Sequence, residues 1–360
     1  MLPYWLLFTV CAAGALEHRR REHRQVQGGP LLIAVAIFAI LMIGLRFEVG
    51  GDWFSYIEIY EQFRYLDLGE ALFQTDPGFS FVNWLAQQIG AGIWFVNTVC
   101  ASVFVWGLVK FARKQPNPWL VLVVSVPYLI IVVGMGYTRQ AVAIGFILAG
   151  LAVFDRTRIL QFAIYILFAA LFHKTSVIIF PLVALSVVTQ RIGVAALLLV
   201  LGVLLYVTLL RDTIDALMVN YLDAGYESQG AAIRVAMNIV PAIVFLLLRK
   251  RFGLAPEVQK LWTILCGAAL AALAMLFVLS SSTAVDRLAL YLVPVQLFVL
   301  SRVPYAFLVN GRPNSQGALA VIAYSAMVQF VWLNYATHAD FWVPYNSFIG
   351  RESNEAFNRD

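Results

Sequence analysis

Charged residues are scarce in this chain. Asp, Glu, Lys and Arg make up 12% of its 360 residues, and 61% of the residues are hydrophobic. Soluble domains carry about 25% charged residues, so this share is too small to cover a water-exposed surface. The apolar residues also come in blocks of roughly 14–20, which is about the length needed to cross a hydrocarbon core of ~30 Å. The composition therefore predicts a polytopic integral membrane protein.

Several chemistries lack support in the sequence. The three cysteines, Cys11, Cys100 and Cys266, all lie inside apolar blocks, so they indicate neither a disulfide framework nor a CxxC metal site. The motifs GxxxxGKS/T, HExxH and GxSxG are absent, which leaves nucleotide hydrolysis, zinc peptidase and serine hydrolase functions without a basis. No spacing of His, Cys and carboxylates indicates a bound metal. We therefore expect no metal and no other cofactor.

The apolar blocks lack the alternation of a transmembrane strand, which favours helices over an outer-membrane barrel. They predict an all-α fold with about 12 transmembrane helices in a single integral membrane domain, residues 1–360. A basic cluster follows the first block instead of preceding it, as in a first helix that is retained and not cleaved as a signal peptide. The spans are expected near residues 2–16, 30–45, 91–109, 117–133, 138–154, 159–172, 176–189, 192–210, 232–248, 261–279, 288–301 and 316–333.

The predicted loops on one side of the membrane are the longer ones. An outer loop at residues 46–90 includes PGFSFVNWLAQQIG (77–90), which is expected to form a short helix that lies at the membrane interface or re-enters the membrane. A second outer loop covers residues 211–231, and residues 334–360 form an outer C-terminal tail.

Under this predicted topology, most Lys and Arg residues lie on one side of the membrane and most Asp and Glu residues lie on the other. One side holds 16 of the 25 Lys and Arg residues and four of the 20 Asp and Glu residues, so the two sides carry net charges of +12 and −7. Cytoplasmic loops carry the excess of Lys and Arg, which predicts that the basic side is cytoplasmic. The sequence pI near 9.1 reflects these patches beside anionic headgroups, so we expect membrane lipids and no nucleic acid as partners.

Nine cations remain on the outer side, and five helix ends bring a cation to about one membrane depth. Such residues can snorkel to headgroups without a function, but their number on the side that is poor in cations favours a site. Guanidinium groups suit phosphate oxygens, and helix N-termini attract anions. We therefore predict an outward-facing site for a lipid phosphate or diphosphate. The residues at these helix ends are Arg46, Arg139, His173 with Lys174, Arg234 and Arg287.

Acidic and aromatic residues accompany these cations. Asp52, Asp286 or Glu48 could act as a general base. Alternatively, Asp286 is an N-cap or first-turn acid and Glu48 is a solvated loop acid. His173 could be a base or proton shuttle or a turn histidine without such a role. The outer aromatic residues either form an interfacial belt or stack on sugar faces: Trp53, Phe54, Tyr56, Tyr60, Trp342 and Tyr345.

The ordered set of motifs resembles the EpsG family of bacterial membrane proteins, which is grouped with the Wzy-type polysaccharide polymerases. No single motif is specific, but the set spans residues 46–345. The matching pieces are R-x-x-x-G-x-D-W-x-x-Y from Arg46 to Tyr56, Y-T-R-Q-A-x-A from Tyr137 to Ala143, F-H-K-T-S from Phe172 to Ser176, D-R-L-A-L-Y from Asp286 to Tyr291, and W-V-P-Y from Trp342 to Tyr345.

This resemblance implies a glycosyltransferase with a fold like the GT-C class, which joins undecaprenyl-diphosphate-linked repeat units on the outer face of the cytoplasmic (inner) membrane. A flippase and a chain-length regulator of the same pathway are the expected protein partners. The residues carried over from the motifs are Arg46, Asp52, Arg139, Gln140, His173, Arg234, Arg287 and Tyr291. Residues 61–76 of the first loop cannot be aligned with the family.

The mechanistic hypothesis gives these residues roles. Arg139 and Arg287, with Arg46 or Arg234, hold the diphosphate as it departs. A hydroxyl of a second lipid-linked unit attacks the anomeric carbon, and Asp52, with His173 second, accepts or orients its proton. The residues further expected to bind substrate are Tyr56, Gln140, Lys174, Asp286, Tyr291, Trp342 and Tyr345.

Three other functions stay open at this point. An O-antigen-type ligase must bind the same diphosphate. The ligases usually have a large outer loop in the second half of the chain, whereas the second outer loop here, residues 211–231, is short. A transporter or flippase for the same lipid needs polar groups along a path through the membrane, and the predicted spans are almost free of charge. A membrane acyltransferase could use His173, but it would not need the five helix ends with cations.

Overall fold

The computed structural model describes residues 1–20, 29–187, 230–278, 282–309 and 311–349. Within these ranges the regular structure is helical, and the only other backbone pairings are the isolated bridges Arg46–Ser347 and Val309–Arg312. The predicted all-α class is therefore confirmed for the part of the chain that the structure describes.

The helices, each counted with any 3₁₀ or π turn continuous with it, follow the apolar blocks of the sequence. One helical segment contains a π-helical stretch, Val126–Val133, and another begins with the 3₁₀ turn Lys174–Ile178. The segments are α1 Leu2–Arg20, α2 Pro30–Gly44, α3 Trp53–Gln62, α4 Leu68–Ala71, α5 Pro77–Gln88, α6 Gly92–Ala112, α7 Pro118–Gly136, α8 Thr138–Val153, α9 Ile159–Phe172, α10 Lys174–Val187, α11 Ala231–Phe252, α12 Pro256–Val278, α13 Ser282–Ala306 and α14 Ser315–Tyr335.

Six of these helices, α6, α7 and α11 to α14, are long and apolar enough to cross a membrane, and α2, α8, α9 and α10 are shorter apolar helices. Eleven of the twelve expected spans fall on helices, and the span expected near residues 192–210 lies outside the described residues, as does most of the second outer loop. The chain is thus a multi-pass membrane protein, while the number of crossings stays a prediction.

Helix α7 lies at the centre of the bundle. Its residues are apolar on all sides, the pattern of a helix that is surrounded by others, and the whole segment is buried. It packs against α1, α13 and α14. Asn117 caps its start by accepting hydrogen bonds from the backbone N–H groups of Trp119 and Leu120. This helix therefore gives the outer loops a fixed base.

Helices α6 and α8 approach each other closely, and this contact positions the start of α8. The contact is made by two glycines: a Cβ atom on Gly107 would lie 1.9 Å from the Gly145 carbonyl oxygen. Because only glycine permits this separation, α8 is held against α6 over its length. Arg139 and Gln140, which lie in the first turn of α8, are thereby placed at the outer end of the core.

The loop after α2 pairs with the C-terminal segment. Phe47 and Gly50 donate backbone hydrogen bonds to the carbonyls of Asn346 and Phe341, at 3.1 and 2.8 Å. Gly50 has a φ of +104°, and a Cβ atom there would lie 2.3 Å from the Met135 carbonyl oxygen. The chain therefore bends before Asp52, and Gly50 is the glycine that this bend requires.

The described polar contacts group at two ends of the bundle. At one end His18 lies 3.1 Å from the Pro116 carbonyl oxygen, and Arg302 donates to Gln115 at 3.0 Å. Both are residues that the charge pattern predicts to be cytoplasmic. The predicted outer residues contact one another at the opposite end. Which end faces the cytoplasm stays a prediction from the charges.

Candidate functional site at the outer loops

Arg139 forms an ion pair with Asp76, a carboxylate that sequence reasoning missed. Arg139 Nη1 lies 3.1 Å from Asp76 Oδ2, and the backbone N–H of Lys174 donates to Asp76 Oδ1 at 3.3 Å. Asp76 therefore joins the start of α5 to the starts of α8 and α10. In sequence it looks like an ordinary N-cap before a proline at the first helical position, yet its side chain makes no capping bond.

Asp52 lies within reach of the charges of two guanidinium groups. It occupies the N-cap position of α3 but makes no side-chain cap, and it is half-buried. Burial raises the pKa of Asp52 above its ordinary value, and the nearby charges of Arg287 and Arg139 act in the opposite direction. Side chains from α3, α8 and α13 thus share one site, which we call the open cluster: Asp52, Arg139 and Arg287.

Arg287 is the member of this cluster without a carboxylate partner among the described residues. Its guanidinium lies 5.4 Å from the centre of the Tyr137 ring, a cation–π distance. The Gln140 side chain donates to the Arg287 backbone carbonyl at 2.7 Å, which ties α13 to α8. Gln140 therefore holds the cluster together through the backbone, and the Arg287 side chain stays available to an anion.

His173 ends α9 and bonds to two hydroxyl groups. Its Nδ1 atom lies 2.8 Å from Thr175 Oγ1 and 3.0 Å from the Tyr291 hydroxyl. Burial and the charges of Arg139 and Arg287 lower the pKa of His173 to about 3. The side chain is therefore neutral at physiological pH. Such a weak base does not fit the predicted second role in accepting the substrate proton.

Arg234 and Asp286 form a bidentate ion pair between α11 and α13. Arg234 Nε lies 2.7 Å from Asp286 Oδ1, and Nη2 lies 2.7 Å from Oδ2. Both side chains are mostly buried. The carboxylate offsets the charge of Arg234, so this arginine offers less to a phosphate than Arg287 does. The pair instead fixes the first turn of α13, on which Arg287 lies.

Arg46 is fully buried, unlike the other outer arginines. It donates hydrogen bonds to the carbonyl oxygens of Ile43 and Val49, at 2.6 and 3.1 Å, and to Thr138 Oγ1 at 3.0 Å. Its guanidinium also lies 5.5 Å from the Trp53 ring. Because its donors are directed at protein atoms, this geometry fits an anchor of the outer loop and not the predicted contact with a diphosphate.

The aromatic candidates are mostly buried as well. Trp342 donates from Nε1 to the Ile131 carbonyl at 2.9 Å, within the π-helical part of α7, and Tyr345 donates to the Met42 carbonyl at 2.9 Å. Tyr56 is buried beside Arg139, and among the six candidates only Phe54 is largely exposed. These side chains fit packing of the outer loops better than stacking on sugars. Lys174 remains half-buried next to Asp76.

An apolar cavity of about 460 Å³ lies between α11 and α14, and sequence reasoning did not predict it. Tyr128 and Trp332 line it, and Arg234 lies at its edge beside the ion pair with Asp286. A cavity with hydrocarbon walls next to spanning helices can accept a lipid chain. Asp286, the partner of Arg234, directly precedes Arg287 of the open cluster in α13.

These observations define a multi-pass helical membrane protein with a cation-rich, carboxylate-containing site at one end. The sequence model of the EpsG family matches residues 30–347, which is most of the chain. The chain belongs to the EpsG family, as the motifs predicted. Membership indicates a membrane protein of the polysaccharide-polymerase type, with a glycosyltransferase-like role in polysaccharide biosynthesis. No match was found among the curated proteins or among the solved structures.

Proposed function

We propose that this protein joins undecaprenyl-diphosphate-linked oligosaccharide repeat units into a surface polysaccharide on the outer side of the cytoplasmic membrane. The observation that supports it most is the open cluster, in which one carboxylate, Asp52, lies near two guanidinium groups, Arg139 and Arg287. This arrangement matches a reaction in which a hydroxyl loses a proton while a diphosphate departs.

Arg287 and Arg139 would hold the diphosphate of the donor. Arg287 has no carboxylate partner among the described residues, and the Arg139 side chain keeps 33% of its surface exposed despite its bond to Asp76. As the bond between the anomeric carbon and the diphosphate oxygen breaks, its electron pair stays with that oxygen. The two guanidinium groups stabilise this developing charge.

Asp52 would accept the proton of the attacking hydroxyl. The hydroxyl oxygen of the acceptor unit forms the new bond to the anomeric carbon, and its proton moves to the carboxylate. A carboxylate with a raised pKa is a better match for this task than a solvated one, because catalytic bases work best when their pKa approaches the operating pH. The charges of the neighbouring arginines favour its ionised form.

The apolar cavity beside Arg234 supports a lipid-linked substrate. An isoprenoid chain needs an apolar surface close to the site that holds its diphosphate, and α13 connects the cavity edge to Arg287 through consecutive residues. Arg234 of the ion pair with Asp286 lines the cavity. A nucleotide-linked donor would have no use for this cavity.

The test uses purified full-length protein and synthetic undecaprenyl-diphosphate-linked repeat units, with products separated as a ladder on a gel. We expect ladder growth with the wild type, and strong loss in Asp52→Asn and Arg287→Ala. Arg64→Ala is the matched control, because Arg64 is an exposed outer-loop arginine that pairs only with Glu61. Transfer of a single chain to lipid A core, without a ladder, would indicate the ligase, and translocation without bond formation would indicate the flippase.

A further inference from the structure

His173 belongs to a compact group of three hydrogen-bonding side chains. Its Nδ1 atom, Thr175 Oγ1 and the Tyr291 hydroxyl lie within 2.8 to 3.0 Å of one another. Gln140 also hydrogen-bonds to the Tyr291 hydroxyl, as a donor, because its carboxamide nitrogen is the atom that donates to the Arg287 carbonyl nearby, and its carboxamide oxygen accepts no hydrogen bond from a described residue. The two hydroxyl protons therefore have their acceptors inside this group.

This geometry selects one tautomer of a neutral imidazole. If Nδ1 is unprotonated, one hydroxyl donates to it and the other hydroxyl donates to the first, so both protons are used. If Nδ1 carries the proton, one hydroxyl proton must turn away to an acceptor that the described contacts do not supply. Both arrangements form two hydrogen bonds within the group, but only the first gives each hydroxyl proton an acceptor, and it places the ring proton on Nε2.

The charges around the ring disfavour a second proton. Arg139 on α8 and Arg287 on α13 both act on His173, Lys174 follows it in the chain, and Asp76 is already shared by Arg139 and the Lys174 backbone. An imidazolium here would add a fourth cation to Arg139, Arg287 and Lys174, near which the described residues place two carboxylates, Asp76 and Asp52. His173 is therefore a neutral donor throughout the physiological range.

The Nε2 atom is available to a ligand. It makes no hydrogen bond to a described residue, and it is not among the buried polar atoms that lack a partner. The side chain is half-buried, so this atom keeps accessible surface. Its N–H group is thus a third donor near the two guanidinium groups of the open cluster.

We propose that His173 binds an oxygen of the lipid diphosphate through Nε2–H, as a neutral hydrogen-bond donor, and that Thr175 and Tyr291 are positioning residues that set its tautomer. This inference rests on the proposed function for the identity of the ligand. It replaces the predicted role of His173 in proton transfer, and no proton leaves or reaches the ring in the reaction.

The experiment compares His173→Gln with His173→Ala. A glutamine carboxamide nitrogen can reach the Nε2 position and donate, but it does not ionise. Binding of undecaprenyl diphosphate itself is measured with purified full-length protein. We expect about a tenfold or greater loss of affinity in His173→Ala, the size of a hydrogen bond to a charged group, and a clearly smaller loss in His173→Gln.

Two further measurements separate a positioning role from a structural one. Thr175→Val should weaken binding when His173 is present. It should have no further effect when combined with His173→Gln, because a glutamine carboxamide has no tautomer that Thr175 could set. Thr263→Val is the control, since Thr263 bonds only to the carbonyl one turn before it, on α12. The ratio of wild-type to His173→Gln affinity should also stay constant from about pH 5.5 to 8, because ionisation of the diphosphate is common to both.

The outcomes are distinct. Equal losses in His173→Ala and His173→Gln, or a ratio that rises as the pH falls below 6.5, would overturn the neutral donor even if the wild type polymerises. Wild-type protein that binds the lipid diphosphate but builds no ladder would overturn the proposed function and leave the affinity ratios to decide on His173. Failure of the wild type to bind the lipid diphosphate would overturn both.

Discussion

Arg287 and Arg46 are both arginines at a helix end that is predicted to face outward, but the structure gives them opposite surroundings. Arg287 is half-exposed, stacks on Tyr137 and has no carboxylate partner among the described residues. Arg46 has no exposed surface and donates to two carbonyl oxygens and a hydroxyl. A cation on the outer side of a membrane protein is therefore not a ligand site by itself. Its partners decide whether it binds substrate or holds a loop.

The largest expected effect is on Asp52, in the open cluster. Asp52→Asn should lower the transfer rate by about 10²–10⁴, the usual contribution of a general base. The same substitution should raise the thermal unfolding midpoint at pH 7. Burial raises the pKa of Asp52 above 3.8, so the folded state binds the proton more tightly than the unfolded state. Stability is then lost as the pH rises from 3.8 through the raised pKa.

Ladder synthesis and thermal unfolding, measured on the same preparations, check both parts. Glu58→Gln is the control, because Glu58 is an exposed acid on the same helix. An Asp52→Asn variant that retains wild-type transfer would remove Asp52 from the mechanism.

Arg287 should have the next largest effect. Arg287→Ala is expected to reduce transfer by roughly 10²–10³, as for loss of a donor that stabilises developing charge, with little change in unfolding. Arg287→Lys should restore part of the rate, because it keeps the charge but not the planar fork. Steady-state rates with the lipid-linked repeat unit measure this, and a variant that unfolds earlier while its remaining activity is normal would contradict the assignment.

Substitution of Arg46 should lower stability and leave diphosphate binding unchanged, which is the reverse of the pattern expected for Arg287. Arg46→Met leaves three buried acceptors without a donor, and each costs about 1–3 kcal/mol of folding free energy. We expect a large fall in the thermal unfolding midpoint, with the affinity of the folded fraction for undecaprenyl diphosphate unchanged. Thr138→Val, which removes one of the three acceptors, should cost less. Weakened binding by a stable Arg46→Met protein would return Arg46 to the diphosphate site.

Asp76 pairs with Arg139 of the open cluster. Its substitution should have a smaller effect, with opposite signs on binding and on turnover. Asp76→Asn keeps an acceptor for the Lys174 backbone but frees the charge of Arg139. Binding of the diphosphate should strengthen, because the carboxylate no longer competes for the guanidinium, while turnover falls by about tenfold through looser positioning. Separate measurement of kcat and KM tests this prediction. A lower kcat together with a higher KM would indicate that Asp76 has a purely structural role.

The smallest expected effect is that of a chelator. Two guanidinium groups can offset the charge of a departing diphosphate, and no group of three or more metal-binding side chains occurs in the described ranges. Ladder synthesis should therefore persist in excess EDTA. Full inactivation that added divalent cation reverses would show that a metal takes part.

Much of the fold followed from local signals in the sequence. The lengths of the apolar blocks predicted the membrane helices: the spans expected at 138–154 and 159–172 are α8 and α9, whereas the span expected at 288–301 extends from Ser282 to Ala306, and α3 and α4 were not predicted. The motifs around Arg46, Arg139, His173 and Asp286 indicated the family, which the match over residues 30–347 confirms. The site was harder to predict, because Asp76 resembles an N-cap in sequence and lies in the segment that could not be aligned.

The sequence by itself determined the class of protein, the helices and the family, because these depend on composition, on apolar block length and on motifs within a few residues. Only the tertiary structure decided which arginines are paired. The bonds Arg139–Asp76, Arg234–Asp286 and Arg46–Thr138 join residues that are 63, 52 and 92 positions apart. Pairing across such separations depends on how the helices pack, and it leaves Arg287 as the arginine of the described outer end that is accessible without a carboxylate partner.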